Sequence, residues 1–299
     1  NLMGTNDWHS VSTGQMTHVK RAKNEADKQI AVVYADGEIT DEFGDGIVSS
    51  KMLKTLKEVS KDNDVKAVVL RVNSPGGSAY ASEQIWHAVK MLQEKGLPVV
   101  VSMGDYAASG GYYISCGADY IFAEPNTLTG SIGVFGTIPN ISKLRDNLGI
   151  DIDGVSTNAH ADINVNMIYK GMNDSERQLM QANVERTYNL FTSRCAEGRH
   201  MMQDSIKAIG EGRVWLGKDA LELGLVDQLG NIDNAIIKAA DLAGIIEYKV
   251  TYFPEKKDFL TELMTLMNNT TEEEKLLLRL KTLVEKPRIL ALMPEVTIR

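Results

Sequence analysis

Two apolar segments of this chain each lead directly into a glycine-rich turn, and this pattern constrains the fold more than any other feature. The first segment, 65–72, is rich in β-branched residues and precedes Asn73-Ser-Pro-Gly-Gly77. The second, 98–102, precedes the glycine-rich stretch 104–113. Short apolar runs bounded by Gly and Pro predict buried strands. The chain is therefore expected to contain buried strands that end in tight turns.

Helical patterns separate these strands. Residues 47–60 and 79–95 carry apolar side chains at helical spacing, and 30–34 and 120–123 predict two more strands. Strands that alternate with helices predict parallel pairing with helical crossovers, which is an α/β fold. In open α/β sheets, functional sites lie at the carboxyl ends of strands, and both glycine-rich turns fall there.

The composition excludes several classes of function. The chain has 299 residues, a net charge of -8 and no long basic stripe, so a nucleic-acid partner is not expected. No long apolar run predicts a membrane span, no histidine pair at i, i+4 predicts a metal site, and no cofactor is predicted. Cys116 and Cys195 could form a disulfide, although the apolar surroundings of Cys116 favour packing as a small hydrophobic residue.

The chain divides into three parts, 1–28, 29–245 and 246–299. The first is polar and is expected to be a lead-in from an absent upstream region. The second is the α/β domain, which is mainly helical from 174 onward. The third holds a strand at 247–253 and a helical tail in which Pro287 and Pro294 end regular structure. Because the sequence lacks an initiator methionine and a signal-peptide pattern, we expect a piece of a longer protein, with any membrane anchor in the absent part.

Ser109 is the first candidate for chemistry. It lies in Ala107-Ala-Ser-Gly-Gly111, between a strand and a predicted helix. Small neighbours allow a substrate to approach closely, and free N–H groups at a helix start favour a developing oxyanion. A serine at this position could equally be the N-cap of the helix. The residues alone leave both roles open.

The turn 73–78 is the second candidate. Its two glycines could point N–H groups into a cleft, as an oxyanion hole requires, although Pro-Gly turns are also common in loops. A serine nucleophile also needs a base. His87 lies mid-helix, and His160 and Asp162 are too close in sequence to align end to end as a triad. A desolvated lysine is the remaining option for a base.

Several stretches together resemble the signal peptide peptidase A family, also called protease IV: 69–78, 104–115, 127–133, 212–220 and 224–227. They occur in the order expected for that family. The resemblance implies an α/β fold with parallel βαβ units and peripheral helices, the fold shared by the Clp protease subunit and the crotonases. It also implies a Ser/Lys dyad in place of a triad.

The resemblance assigns a role to each site residue. Ser109 matches the family nucleophile. Gly76 and Gly77 match the oxyanion turn, and the N–H of Gly110 is the second donor. Ser131 matches the serine that positions the lysine amine.

Ala161 departs from the pattern of the short family members, which carry their lysine between the His and Asp of a segment like 160–162. In long tandem members the first half donates the lysine and the second half donates the serine. The resemblance therefore implies that this chain is the C-terminal half of a long form, with the lysine in the upstream half. Lys143 and Lys170 are the other candidate bases, and a surface position is the simpler interpretation of each.

The expected function is a serine endopeptidase that degrades cleaved signal peptides at the bacterial cell membrane, on the extracytoplasmic side. The enzyme is expected to form a homo-oligomer, and this chain alone to be inactive or weakly active. Because signal peptides are apolar, the expected groove lining consists of Met103, Ile132, Val134 and Phe135.

Two other functions remain open at this point. One is a non-catalytic assembly module of the same fold. The other is a crotonase-type acyl-CoA enzyme, for which Asp105 and Glu83 would be the available carboxylates.

Overall fold

The computed structural model describes residues 26–254 and 288–292. Its strands are β1 (Gln29–Asp36), β2 (Ile39–Thr40), β3 (Ile47–Val48), β4 (Val65–Ser74), β5 (Gly76–Ser78), β6 (Val99–Ala108), β7 (Tyr120–Ala123), β8 (Leu128–Gly130), β9 (Phe135–Thr137), β10 (Val214–Leu216), β11 (Gln228–Leu229), β12 (Lys249–Phe253) and β13 (Arg288–Leu292).

Its helices are α1 (Ser49–Val59), α2 (Ala79–Glu94), α3 (Gly110–Ser115), α4 (Ser142–Asn147), α5 (Ile163–Val165), α6 (Asp174–Arg199), α7 (Gln203–Ile209), α8 (Gly217–Glu222) and α9 (Ile232–Leu242). A π-helical segment, Asn166–Lys170, follows α5.

The larger sheet carries both glycine-rich turns. Its strand order is β10-β8-β6-β4-β1-β12, and β7 and β11 extend it beside β6. Every pairing among these strands is parallel except that of β10 with β8. The α/β fold predicted from the strand and helix alternation is therefore confirmed, and the strand predicted at 247–253 is β12.

Hydrophobic side chains cover both faces of this sheet. Alternate residues of β1 face opposite sides, so that Val33 joins the core under α1, α2 and α6 while Val32 packs beneath α9. A strand that is buried on both faces has apolar residues at nearly every position, because both sets of alternating side chains face the core. This explains the composition of β1, β4 and the first half of β6.

Strand β6 is longer than the sequence pattern predicts, and it bulges. The prediction of a turn from Gly104 onward is wrong, because β6 continues to Ala108 and its last residues pair with β8. The register with β4 shifts here. Val72 of β4 pairs with Met103, but Ser74, two residues later, pairs with Ala107, four residues later in β6. The side-chain oxygen of Asn73 accepts a hydrogen bond from the backbone N–H of Tyr106 at 3.2 Å and lies against Gly104. The bulge redirects the strand end that leads to Ser109.

A smaller sheet has the order β3-β2-β5-β13-β9. Its strand β13 corrects the prediction of a helical tail at these residues. The other tail residues, 255–287 and 293–299, lie outside the described residues. Pro287 and Pro294 leave only a short apolar segment between them, which is too short for a stable helix but sufficient for a strand.

The two cysteines do not form a disulfide. Cys116 and Cys195 are free thiols, and both are fully buried in the main hydrophobic core. Burial raises the pKa of the Cys195 thiol. The expectation that Cys116 packs as a small hydrophobic residue is confirmed.

A clamp between α6 and β7 holds the helical layer against the larger sheet. Arg199 donates to both carboxylate oxygens of Asp227, at 3.1 and 2.5 Å, and to the backbone oxygen of Gly224 at 3.0 Å. Asp227 also accepts the N–H of Ile121, the second residue of β7, at 2.8 Å. The side chain of Arg199 is only 7% exposed, so water does not replace these contacts when one is lost.

We expect the substitution Arg199→Met to lower the free energy of unfolding by about 3 kcal/mol, because Asp227 loses its charge partner in a partly buried setting. Urea unfolding followed by circular dichroism measures this. Arg186→Met is the control, because Arg186 is exposed on the same helix. Its effect should stay within about 0.5 kcal/mol. Equal losses for the two variants would contradict the importance of the clamp.

Candidate active site

Ser109 has an unusual backbone conformation. Its φ of 53° and ψ of -116° lie in a region that non-glycine residues rarely adopt. Its N–H donates to the oxygen of Gly130 at 2.8 Å, and its own oxygen accepts the N–H of Tyr113 at 2.8 Å. Strained backbone of this kind costs about 1–3 kcal/mol and is concentrated at functional sites.

The side chain of Ser109 does not cap the helix that follows it. Ser109 holds the N-cap position of α3, yet its hydroxyl makes no capping hydrogen bond. The Oγ is buried, and no hydrogen-bond partner for it is found among the described residues. A buried hydroxyl without a partner costs about 1–3 kcal/mol. The sequence left two roles open for Ser109, and its side chain does not fill the role of an N-cap.

The turn before β5 lies against the helix that starts after Ser109. A Cβ on Gly111 would be 2.6 Å from the backbone oxygen of Ser74, so the two backbones are in direct contact. Gly77 has a φ of 152°, and a Cβ there would be 2.0 Å from the oxygen of Ile39. The N–H of Gly76 donates to the Ser74 hydroxyl at 3.2 Å. The two turns singled out in the sequence thus meet at one edge of the sheet.

Ser131 is connected to Ser109 through the neighbouring residue Gly130. It directly follows Gly130, whose oxygen accepts the Ser109 N–H. Its φ is 49°, its N–H donates to the oxygen of Arg213 at 2.7 Å, and its side chain is buried. The structure therefore brings Ser109, the Gly76–Gly77 turn and Ser131 to one place, while their catalytic roles stay predictions.

The candidate bases do not join this group. Lys143 and Lys170 are exposed, and no lysine within 26–254 is buried. Ala161 is exposed in a loop, and the Nε2 atom of the adjacent His160 lies 3.2 Å from the Ser175 hydroxyl. The described part of the chain therefore offers no desolvated amine for Ser109.

The two carboxylates of the acyl-CoA alternative differ in their surroundings. Glu83 accepts the Tyr113 hydroxyl at 2.7 Å and a guanidinium N–H of Arg194 at 2.7 Å. Burial, and then the bond to Glu83, raise the pKa of Tyr113 well above its usual value. Asp105 is exposed on the bulge of β6. These contacts make Glu83 a structural anchor for α3.

The apolar groove predicted from the sequence is only partly present. Met103 and Ile132 belong to the core, with 0% and 1% of their surfaces exposed, so their assignment to the groove is wrong. Val134 and Phe135 do line a cavity of about 400 Å³ that also includes Ser131. The sequence could not separate the two pairs, because core and groove residues are equally apolar.

We expect Gly111→Ala to disrupt the contact between the two turns. The new Cβ would meet backbone, which cannot swing aside, so we predict a loss of about 1–3 kcal/mol in the free energy of unfolding. Thermal or urea unfolding measures the loss. Gly154→Ala is the control, since a Cβ there meets nothing within 4 Å. If the two variants were equally stable, the close contact would be contradicted.

Comparison with known proteins places the chain among peptidases. The model of peptidase family S49 matches residues 91–246, and the model of Clp protease matches residues 18–129, which include the Gly76–Gly77 turn. The Clp protease match agrees with the predicted fold.

Individual relatives agree with the family models. Protease 4 of Salmonella typhi is 41% identical over 243 residues, 81% of this chain and 39% of that protein. The chloroplastic serine protease SPPA of Arabidopsis thaliana is 35% identical over 230 residues, 75% of this chain and 34% of that protein. The SppA protein of Enterococcus faecium is 33% identical over 248 residues, 79% of this chain and 72% of that protein. The chain thus spans about two fifths of protease 4, and the resemblance inferred from its motifs is confirmed at the level of the family: this chain belongs to peptidase family S49.

Proposed function

We propose that Ser109 is the nucleophile of a serine endopeptidase that uses a Ser/Lys dyad. The observation that carries this proposal is Ser109 itself: its hydroxyl is buried without a partner among the described residues, and its backbone has a strained φ of 53°. A neutral lysine amine takes the proton from Oγ as Oγ attacks the peptide carbonyl carbon. The C–N bond then breaks, the leaving amine takes the proton, and water hydrolyses the acyl-enzyme.

Backbone N–H groups beside Ser109 form the oxyanion hole in this proposal. Gly76 and Gly77 supply it from the turn, and Gly110 supplies it from the start of α3. In this role the Gly76 N–H exchanges its hydrogen bond to the Ser74 hydroxyl for one to the oxyanion. The positive φ of both turn glycines, 106° and 152°, supports this role, because it allows the turn to present N–H groups that an L-residue would turn away. Ser131 positions the lysine amine.

The lysine comes from another part of the same protein. Two observations support this: no lysine within 26–254 is buried, and the chain spans about two fifths of the protease 4 relatives. A general base near neutral pH must be desolvated, and the exposed Lys143 and Lys170 are not. We therefore propose that an N-terminal half supplies the amine to a site that this chain leaves incomplete.

The proposed substrates are cleaved signal peptides, which are apolar and carry small residues near their ends. The cavity beside Ser131, lined by Val134 and Phe135, is compatible with apolar side chains. The proposed location is the extracytoplasmic side of the bacterial membrane, in a homo-oligomer. None of the helices within the described residues is both long enough and apolar enough to span a bilayer.

Replacing the nucleophile tests the proposal directly. In the full-length protein, Ser109→Ala should reduce peptide hydrolysis by at least about a thousandfold, because the covalent step is lost. Release of a fluorophore from an apolar peptide measures the rate. Ser50→Ala, an exposed serine on α1, should leave the rate unchanged. Undiminished hydrolysis by the Ser109 variant would refute the assignment.

A serine-reactive phosphonate probe tests the origin of the lysine. This chain alone should label slowly or not at all, and addition of the N-terminal half should restore labelling at Ser109, because the base is then present. Peptide mapping by mass spectrometry identifies the labelled residue. Rapid labelling of the chain alone would contradict the split dyad. Failure to label under both conditions would instead favour a non-catalytic assembly module.

A further inference from the structure

Helix α6 lies directly against the helix that follows Ser109. The ring of Phe191 on α6 stacks on the ring of Tyr113 on α3, with 4.4 Å between the ring centroids. Farther along α6, a Cβ on Gly198 would be 2.0 Å from the backbone oxygen of Cys116, so the two backbones are in contact. These two contacts fix the end of α3 against the last turns of α6.

Cys195 lies between these two contacts, on the same face of α6. Residues 191, 195 and 198 follow the spacing i, i+4 and i+7, which places them on one side of a helix. Cys116 ends α3, and its Sγ donates to the backbone oxygen of Tyr113 at 3.2 Å. A hydrogen bond between the side chains of Cys116 and Cys195 adds to the effect of burial in raising the pKa of Cys195. The two thiols therefore meet where the two helices touch.

We infer that Cys116 and Cys195 are a disulfide site, in which the bond forms as the chain folds in the presence of a disulfide oxidant and ties α3 to α6. A disulfide joins cysteines whose Cα atoms are at most about 7 Å apart. Thiols in hydrogen-bond contact, on helices whose backbones touch, are compatible with that limit. Both thiols are free in the structure, which therefore describes the reduced form. The inference does not depend on the catalytic role of Ser109.

The oxidation exchanges two thiols for one disulfide. One cysteine thiolate attacks a disulfide such as oxidised glutathione, which releases one glutathione thiol and leaves a mixed disulfide. The second cysteine attacks the mixed disulfide, so that the bond between Cys116 and Cys195 forms and a second glutathione thiol leaves. The two cysteine protons and two electrons thereby pass to the oxidant. Extracytoplasmic compartments of bacteria, the proposed location, supply oxidants of this class.

Burial determines when this exchange can occur. Both thiols are 0% exposed, and the exchange needs a thiolate that an oxidant can reach. Burial also raises the pKa of Cys195, so the folded core holds this group as the unreactive thiol. The bond therefore forms while the core assembles, and the folded protein keeps the redox state in which it folded.

The bond would reinforce the part of the core that holds Ser109. The backbone oxygen of Ser109 accepts the N–H of Tyr113, and α3 ends at Cys116, so one short helix connects the proposed nucleophile to the bond. A disulfide between residues that are far apart in the sequence restricts the unfolded chain and thereby raises stability. The oxidised protein should hold α3 in place at temperatures at which the reduced protein unfolds.

Cell-free synthesis of the full-length protein in two glutathione buffers, one oxidising and one reducing, tests the inference. Peptide mapping without a reductant should find the peptides of Cys116 and Cys195 cross-linked in the oxidised sample alone. The melting temperature of that sample should be at least about 5 °C higher than that of the reduced sample. Absence of the cross-linked peptides, or equal melting temperatures in spite of the cross-link, would overturn the inference.

Two controls separate the bond from other effects of the oxidant. Cys195→Ala keeps a small apolar side chain but has no thiol, so it should melt at the same temperature after synthesis in either buffer. A gain as large as that of the parent protein would assign the stabilisation to another group and overturn the inference. Protein that folds in the reducing buffer and then meets oxidised glutathione should stay unlinked, because both thiols are buried. Rapid linking of the folded protein would contradict bond formation during folding.

Discussion

The backbone at Ser109 is the constraint on which the rest of the site depends. A residue with a φ of 53° is stable only where its surroundings fix it. Here the N–H is held by Gly130 of β8, and the following helix is held through Tyr112 and Tyr113. The Tyr112 hydroxyl donates to the oxygen of Leu225 at 2.9 Å, and that of Tyr113 donates to Glu83 at 2.7 Å. The core around α3 therefore maintains a conformation that the isolated segment would not adopt.

The larger sheet determines which residues lie beside Ser109. Because β4 and β6 are parallel neighbours, their carboxyl ends come together, and the Gly76–Gly77 turn is placed beside Ser109. The bulge in β6 adds the change of direction that the regular ladder would not supply. The site is thus a product of two neighbouring strand ends, and none of the lysines of 26–254 is buried beside it.

The sequence predicted the central part of the fold well, because strands such as β1 and β4 are buried on both faces and read as continuous apolar runs. It also identified Ser109 and the Gly76–Gly77 turn, because each of two neighbouring parallel strands is followed by a glycine-rich segment, whereas Ser131 came from the family resemblance alone. It missed the continuation of β6 through Gly104, because the bulge there depends on Asn73, a residue of the neighbouring strand. It missed β13 for a related reason. A five-residue segment gains its structure from the strands beside it, and local pattern carries no information on them.

The position of β13 between β5 and β9, two strands that do not pair with each other, has a consequence for solubility. A sheet edge with unpaired N–H and C=O groups attracts any extended chain, including strands of other molecules, and proteins protect such edges against aggregation. Without β13, the strands β5 and β9 would each present such an edge, and Phe135 at the start of β9 is 40% exposed. Segment 288–292 covers both edges with backbone from the same chain. The chain thus protects two of its own strand edges from pairing with another molecule.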